Sequence, residues 1–250
     1  MDATGIDRAV VFRGRGIDNA GLLAAAQRRP GRLFPFLSVS PEHPEYRGSW
    51  ASDDPAFIED VDSLLHAGGF FGIGEISVSH FPGPGFPEAD FDPNGRVMRE
   101  ILTAARRHGL PVTVHVELTR LREFEDVLED FTDVTVIWAH GGYTPLFLAE
   151  RMLAGHPNLV YELSARTWAT HPRSPDYTIL RDDVAVWPEW IDLIERMPER
   201  FVVGTDASLR SAARDEWKIA SVRNLLDQIS ADARRMVAGE NLARILGIGN

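Results

Sequence analysis

Four ligand-type side chains interrupt runs that are otherwise apolar. Glu75 lies within Gly72-Ile73-Gly74-Glu75-Ile76, and His115 follows Val112-Thr113-Val114. His140 follows Val134-Thr135-Val136-Ile137-Trp138-Ala139, and Asp206 follows Phe201-Val202-Val203-Gly204-Thr205. A carboxylate or imidazole in such a run is costly to bury unless it is paired or bound to a metal. Two imidazoles with carboxylates make a competent ligand set for zinc and related divalent ions. An ion held there would polarise a substrate oxygen or bring the pKa of bound water towards ~7, and a neighbouring carboxylate or imidazole would move the protons. Each residue also has a plainer role. A histidine closing a strand can be a hydrogen-bonded structural residue, Asp206 can cap the turn after it, and Glu75 can pair with an arginine. What favours a shared site is that four runs place such a residue at the same level.

The elements that would position these residues alternate along the chain. Strands are expected at Arg8–Phe12, Leu33–Val39, Phe71–Val78, Pro111–Val116, Val134–Ala139, Asn158–Leu163 and Phe201–Thr205. Most are nearly continuous apolar runs, as in parallel strands covered on both faces. Helical patterns lie between and after them, at Ala20–Arg29, Asp54–Ala67, Arg96–His108, Arg120–Asp130, Thr144–Ala154, Trp187–Arg196, Glu216–Ser230 and Ala231–Leu246. Asp54-Pro55 is a good N-cap and first-turn pair, and several of these patterns stop at Gly or Pro. This alternation implies βαβ units and a parallel sheet. With no linker or abrupt change of composition, residues 1–250 read as one domain. The loops Ser40–Asp53, Ser79–Asn94 and Ala165–Val186 follow strands, on the face where barrel enzymes build their sites.

Composition narrows the function. The 250 residues are 44% hydrophobic and 25% charged, ordinary for a folded globular chain. With 26 Lys and Arg against 37 Asp and Glu, the net charge is -11. There is no basic stripe to offset that charge, so a nucleic-acid partner is not expected. The absence of cysteine excludes disulfides, thiolate ligands and a cysteine nucleophile. No apolar run reaches the ~20 residues of a membrane span, and Met1–Gly5 has no signal-peptide pattern. A cytoplasmic protein acting on a small molecule is expected, and self-association stays open.

The succession GIGEI, GLPVTVHV, VTVIWAHGG, NLVYELS, FVVGTDAS and VAGENLARILGI resembles the amidohydrolase-related (amidohydrolase 2) branch of the amidohydrolase superfamily, over nearly the whole chain. The opening MDATGIDRAVVF is similar to the helix-one to strand-two segment of those proteins. The resemblance implies a (β/α)₈ TIM-type barrel that hydrolyses amides, lactones or esters, or decarboxylates aromatic-type acids. By position, it makes His115 the strand-five metal ligand and His140 the strand-six ligand or acid/base. Asp206 becomes the strand-eight carboxylate that binds metal or takes the proton from water, and Glu75 resembles a strand-four glutamate that bridges two metals in some branches. One or two divalent ions are expected, with zinc the first choice.

The chain departs from that pattern in one place: the family's strand one ends in His-X-His, and no such pair occurs here. The expectation is that the first strand precedes Met1; the alternative is a barrel that has lost those ligands and no longer catalyses. His80, just past a strand end, is the spare histidine nearest the expected mouth. Arg166 and Trp168 could grip a substrate carboxylate or ring. Gly141-Gly142 allows close backbone approach or makes a plain turn, and Glu162 is either outward-facing or paired inside. The leading expectation is a metal-dependent hydrolase working through metal-activated water, with a metal-dependent non-oxidative decarboxylase as the alternative.

Overall fold

Local capping chemistry sets the helix starts in the computed structural model of the chain, which describes residues 1–14, 17–82, 88–167, 179–182, 184–207 and 216–249. Asp18 and Asp54 each turn a carboxylate onto a backbone N–H of the first turn, at Gly21 (2.8 Å) and Ala56 (3.0 Å). These caps open α1 (Asn19–Gln27) and α3 (Pro55–Ala67). Each satisfies a donor that the helix cannot pair internally. Gly109, at φ 64°, closes α4 (Arg96–His108) in the left-handed conformation that glycine adopts freely. In α3 the buried residues Phe57, Val61 and Leu65 recur every four positions, so one face packs inward.

Two compact units make up the chain, Met1–Val136 and Ile137–Asn250. In the first, β1 (Ala9–Val11) pairs parallel with β2 (Leu33–Pro35), aligning Ala9 with Leu33. A parallel bridge from Leu37 to Ile73 leads on to β3 (Ile73–His80). β3 then pairs parallel with β5 (Val112–Val116), setting Ser77 beside His115. Phe36, Leu37, Ile73, Ile76, Val112 and Val114 are fully buried. This is the near-continuous apolar strand composition expected of a parallel sheet.

In the second unit, β7 (Leu159–Glu162) pairs parallel with β8 (Phe201–Val202), aligning Glu162 with Val202. β6 (Val136–Trp138) runs across the division between the units. α6 (Leu146–Gly155) and α7 (Pro188–Arg196) bury Met152, Leu153, Leu193 and Ile194. Asn241, buried at the start of α10 (Asn241–Ile245), donates to the carbonyls of Pro198 (2.7 Å) and Phe201 (2.8 Å) and so ties that helix to β8.

Three expectations need correction. Ser40–Asp53 is not a plain loop: it contains α2 (Pro44–Ser52), whose Trp50 is buried and donates its indole N–H to the Val39 carbonyl at 2.8 Å. Ser79–Asn94 contains the two-residue strand β4 (Ala89–Asp90), antiparallel to the end of β3. The pattern Ala231–Leu246 is three pieces, α9 (Ala231–Arg235), a π-helical turn at Met236–Glu240, and α10. No helix among the described residues is long and apolar enough to cross a membrane.

Candidate active site

In the first unit, strand alternation turns Thr113, His115 and Glu117 to one side of β5, because successive side chains point to opposite faces. His115 is the centre of the arrangement. Its Nδ1 lies 3.2 Å from Glu75 Oε1 and its Nε2 lies 3.1 Å from Glu117 Oε1. Burial alone would push the imidazole down. The hydrogen bonds and charges of Glu117 and Glu75 outweigh it, and the pKa is pushed up to about 10. With both nitrogens facing carboxylates, the ring is an imidazolium in the metal-free protein.

Glu75 is placed by Gly74, where φ is 137° and a Cβ would come 2.6 Å from the Thr113 carbonyl oxygen. Only glycine lets β3 run this close to β5 there. Glu117 is buried, and its other oxygen accepts the Phe81 backbone N–H at 3.0 Å. Sequence reasoning passed over Glu117. The signal was available, since a residue two positions after His115 shares its face. His80 stands with its ring centroid 5.7 Å from that of His115. It lines, with Ser79, Asp90 and Arg120, a cleft of about 240 Å³.

In the second unit, the chain after β6 makes a left-handed turn. His140, Gly141, Gly142 and Tyr143 all have φ between 52° and 55°. A left-handed conformation costs roughly 1–2 kcal/mol for each residue with a Cβ, so glycine at two of the four positions halves the strain. Gly141 is required for a second reason, because a Cβ there would overlap the Tyr161 ring. The turn is held by Thr144, whose N–H (3.0 Å) and hydroxyl (2.7 Å) both donate to the Gly141 carbonyl.

His140 is buried at the head of this turn. Its Nδ1 lies 2.8 Å from Ser164 Oγ and 3.1 Å from the Ser164 carbonyl oxygen. Glu162 accepts three hydrogen bonds: the Ser164 N–H on Oε1 (2.8 Å), and the Ser164 hydroxyl (2.7 Å) and His140 N–H (3.1 Å) on Oε2. Burial pushes the Glu162 carboxyl up, against the opposing pull of His140 and these donors. Glu162 is therefore paired inside, and Gly204 is its counterpart on β8's extension: a Cβ there would collide with Glu162 Oε1.

Asp206 lies exposed at φ 41°, and its carbonyl accepts from Lys218 Nζ at 2.7 Å. Arg166 is fully buried, donates to the Thr144 carbonyl at 2.8 Å and lies 5.6 Å over the Trp190 ring, so its guanidinium braces the turn after His140. Trp168 lies outside the described residues.

The comparisons with known proteins agree with this architecture. An uncharacterised TIM-barrel protein from Bordetella bronchiseptica matches 99% of this chain over 80% of its own, with a TM-score of 0.67 at 18% identity. A probable 2-pyrone-4,6-dicarboxylic acid hydrolase from Acinetobacter baumannii, solved with citric acid bound, matches 99% over 86%, with a TM-score of 0.59 at 14% identity. A 5-carboxyvanillate decarboxylase from Novosphingobium aromaticivorans, complexed with manganese and 4-hydroxy-3-methoxy-5-nitrobenzoic acid, matches 99% over 78%, with a TM-score of 0.60 at 15% identity. The fold is of the α/β, TIM-barrel type. A search of the curated proteins finds no match. The amidohydrolase family model matches residues 1–248, through both units, and the chain belongs to that family.

Proposed function

We propose that this chain is a metal-dependent hydrolase of small organic molecules (amides, lactones or esters), with carboxylated or cyclic substrates favoured. The observation that carries the reading is His115 held between the carboxylates of Glu75 and Glu117. Nitrogen and oxygen donors without thiolate suit zinc or manganese, and a divalent cation would neutralise the two carboxylates that a proton on His115 now balances. The residues therefore fit an ion. Glu75, His115, His140 and Asp206 are its ligands in this reading, zinc is the first choice, and manganese is supported by the decarboxylase relative. When bound, such an ion supplies Lewis acidity, polarising a substrate oxygen or lowering the pKa of water.

The protein's own groups divide the remaining work. Where His140 is not itself bound to the ion, its Nε2 would take up and pass on the proton, because its Nδ1 is engaged by Ser164. Asp206 takes the proton from the attacking water. His80 meets the substrate at the cleft shared with Arg120, and Trp168 would offer it a ring. Arg166 holds the chain just past β7 against Thr144.

A second reading, non-oxidative decarboxylation of a small carboxylic acid, is favoured by the likeness to the carboxyvanillate decarboxylase. Here His140 would deliver a proton to the carbon that loses CO₂. A panel of lactones, pyrone dicarboxylates, amides and hydroxybenzoates, assayed with zinc or manganese for both ring opening and CO₂ release, separates the two. Ring opening without CO₂ supports hydrolysis. A protein that neither binds a divalent ion nor turns over any member of the panel would be a non-catalytic barrel.

A further inference from the structure

We propose that Glu162 and Ser164 are positioning residues that lock His140 in the tautomer protonated on Nδ1. For its catalytic consequence this rests on the reading that His140 works at the site; the relay itself does not. The hydrogen-bond directions follow from chemistry alone. The Ser164 carbonyl can only accept, so the contact at 3.1 Å places the hydrogen on Nδ1. The Ser164 hydroxyl has one hydrogen, and the Glu162 carboxylate at 2.7 Å takes it. The same hydroxyl oxygen must then accept from Nδ1 at 2.8 Å. The result is a one-way relay, His140 Nδ1–H to Ser164 Oγ–H to Glu162 Oε2, and the neutral ring keeps its lone pair on Nε2.

Backbone contacts make the relay rigid. Glu162 also accepts the N–H groups of His140 and Ser164, so one carboxylate fixes the main chain at both ends of the relay. Ser164 Oγ and Glu162 share one side of the chain because they are two residues apart on the extension of β7. Tyr143 stacks on the His140 ring with centroids 5.3 Å apart and planes 18° apart, which limits rotation about the ring axis. A partner of this kind on a histidine's second nitrogen sets ring orientation, and its loss typically lowers metal affinity about 10–100-fold.

The test uses the whole chain, with zinc and manganese as probes and ¹⁵N NMR of the histidine rings as a readout independent of activity. In the metal-free protein at neutral pH, His140 is expected to show a single Nδ1–H tautomer. In Glu162→Gln the amide can donate to Ser164 Oγ, which frees the hydroxyl to donate to Nδ1. The Nε2–H tautomer should then appear, and divalent-ion affinity should fall about 10–100-fold. Ser164→Ala keeps the carbonyl acceptor, so it should preserve the tautomer, loosen the ring and weaken the ion by a smaller factor, and Ser164→Thr should restore wild-type behaviour. The proposal is overturned if Glu162→Gln keeps the single tautomer. If that variant does not fold, it is overturned by a Ser164→Ala protein whose His140 ring mobility and divalent-ion affinity both match wild type. If the wild type binds neither ion, the metal-dependent reading fails while the tautomer measurement still decides the relay.

Discussion

Glu117 Oε1 sits 3.1 Å from His115 Nε2, while its second oxygen accepts the Phe81 backbone N–H at 3.0 Å. One buried carboxylate thus joins the end of β5 to the segment leaving β3, and it faces His115 from the side opposite Glu75. A hydrogen bond to a charged group contributes about 1.5–3 kcal/mol, and one pH unit corresponds to about 1.4 kcal/mol. Glu117→Gln should therefore lower the His115 pKa, now about 10, by about 1–2 pH units. An NMR pH titration of the metal-free protein reads this directly. A His115 titration that does not move would remove Glu117 from the account.

The same pairing makes the metal-free protein pH-sensitive in a defined window. His115 is raised from 6.5 to about 10 in the folded state, so the folded state holds the proton more tightly than the unfolded one. Its contribution is fully present below the unfolded pKa and is lost as pH rises through the folded one. Melting temperature should fall between about pH 6.5 and 10, by about 2–4 °C for each kcal/mol lost. Divalent-ion affinity should rise over the same window, since the ion displaces that proton. Equal pH slopes for wild type and His115→Asn, measured by thermal melts without metal, would contradict the assignment.

Much of this was legible because parallel strands advertise themselves. The runs around Ile73, Val112, Val136, Leu159 and Phe201 are apolar and short, and all became strands. α2 was not legible. Its Pro44-to-Ser52 stretch carries Gly48 and two serines, and one buried Trp50 supplies packing that propensity does not. At the site, His115 and His140 stood out as imidazoles ending apolar runs. Glu117 and Ser164 did not, because strand parity alone says only which side chains share a face. Whether Glu162 pointed inward depended on Ser164 and His140, residues that the sequence does not bring together.

Gly141 offers a test of the turn that presents His140. An alanine there would need φ near 52° and would overlap Tyr161, which is fully buried and cannot withdraw. Gly141→Ala should cost about 3 kcal/mol or more, the range of strained backbone and overpacking combined. Gly155→Ala, where nothing lies within 4 Å of the new Cβ, should stay within about 1 kcal/mol. Denaturant unfolding of both variants makes the comparison, and similar losses would mean that the left-handed turn is not the constraint described.

The last prediction separates catalytic from structural roles at the two ends of the proposed ligand set. Asp206 is exposed and sits at φ 41°. Asparagine is among the residues that tolerate that region best, so Asp206→Asn should change stability by no more than about 0.5 kcal/mol. It should nevertheless abolish turnover of any substrate found, since a neutral amide cannot take a proton from water. His115→Asn is different in kind. It removes the cation that lies between two carboxylates, Glu75 and Glu117. Breaking a buried ion pair from one side costs about 3–5 kcal/mol. The metal-free His115→Asn protein should therefore melt well below wild type at pH 7, besides losing activity and ion affinity. Thermal melts with and without zinc, run beside the substrate panel, compare the two variants. If Asp206→Asn melted as low as His115→Asn while keeping its activity, Asp206 would be a capping residue and the strand-eight carboxylate would have no catalytic part.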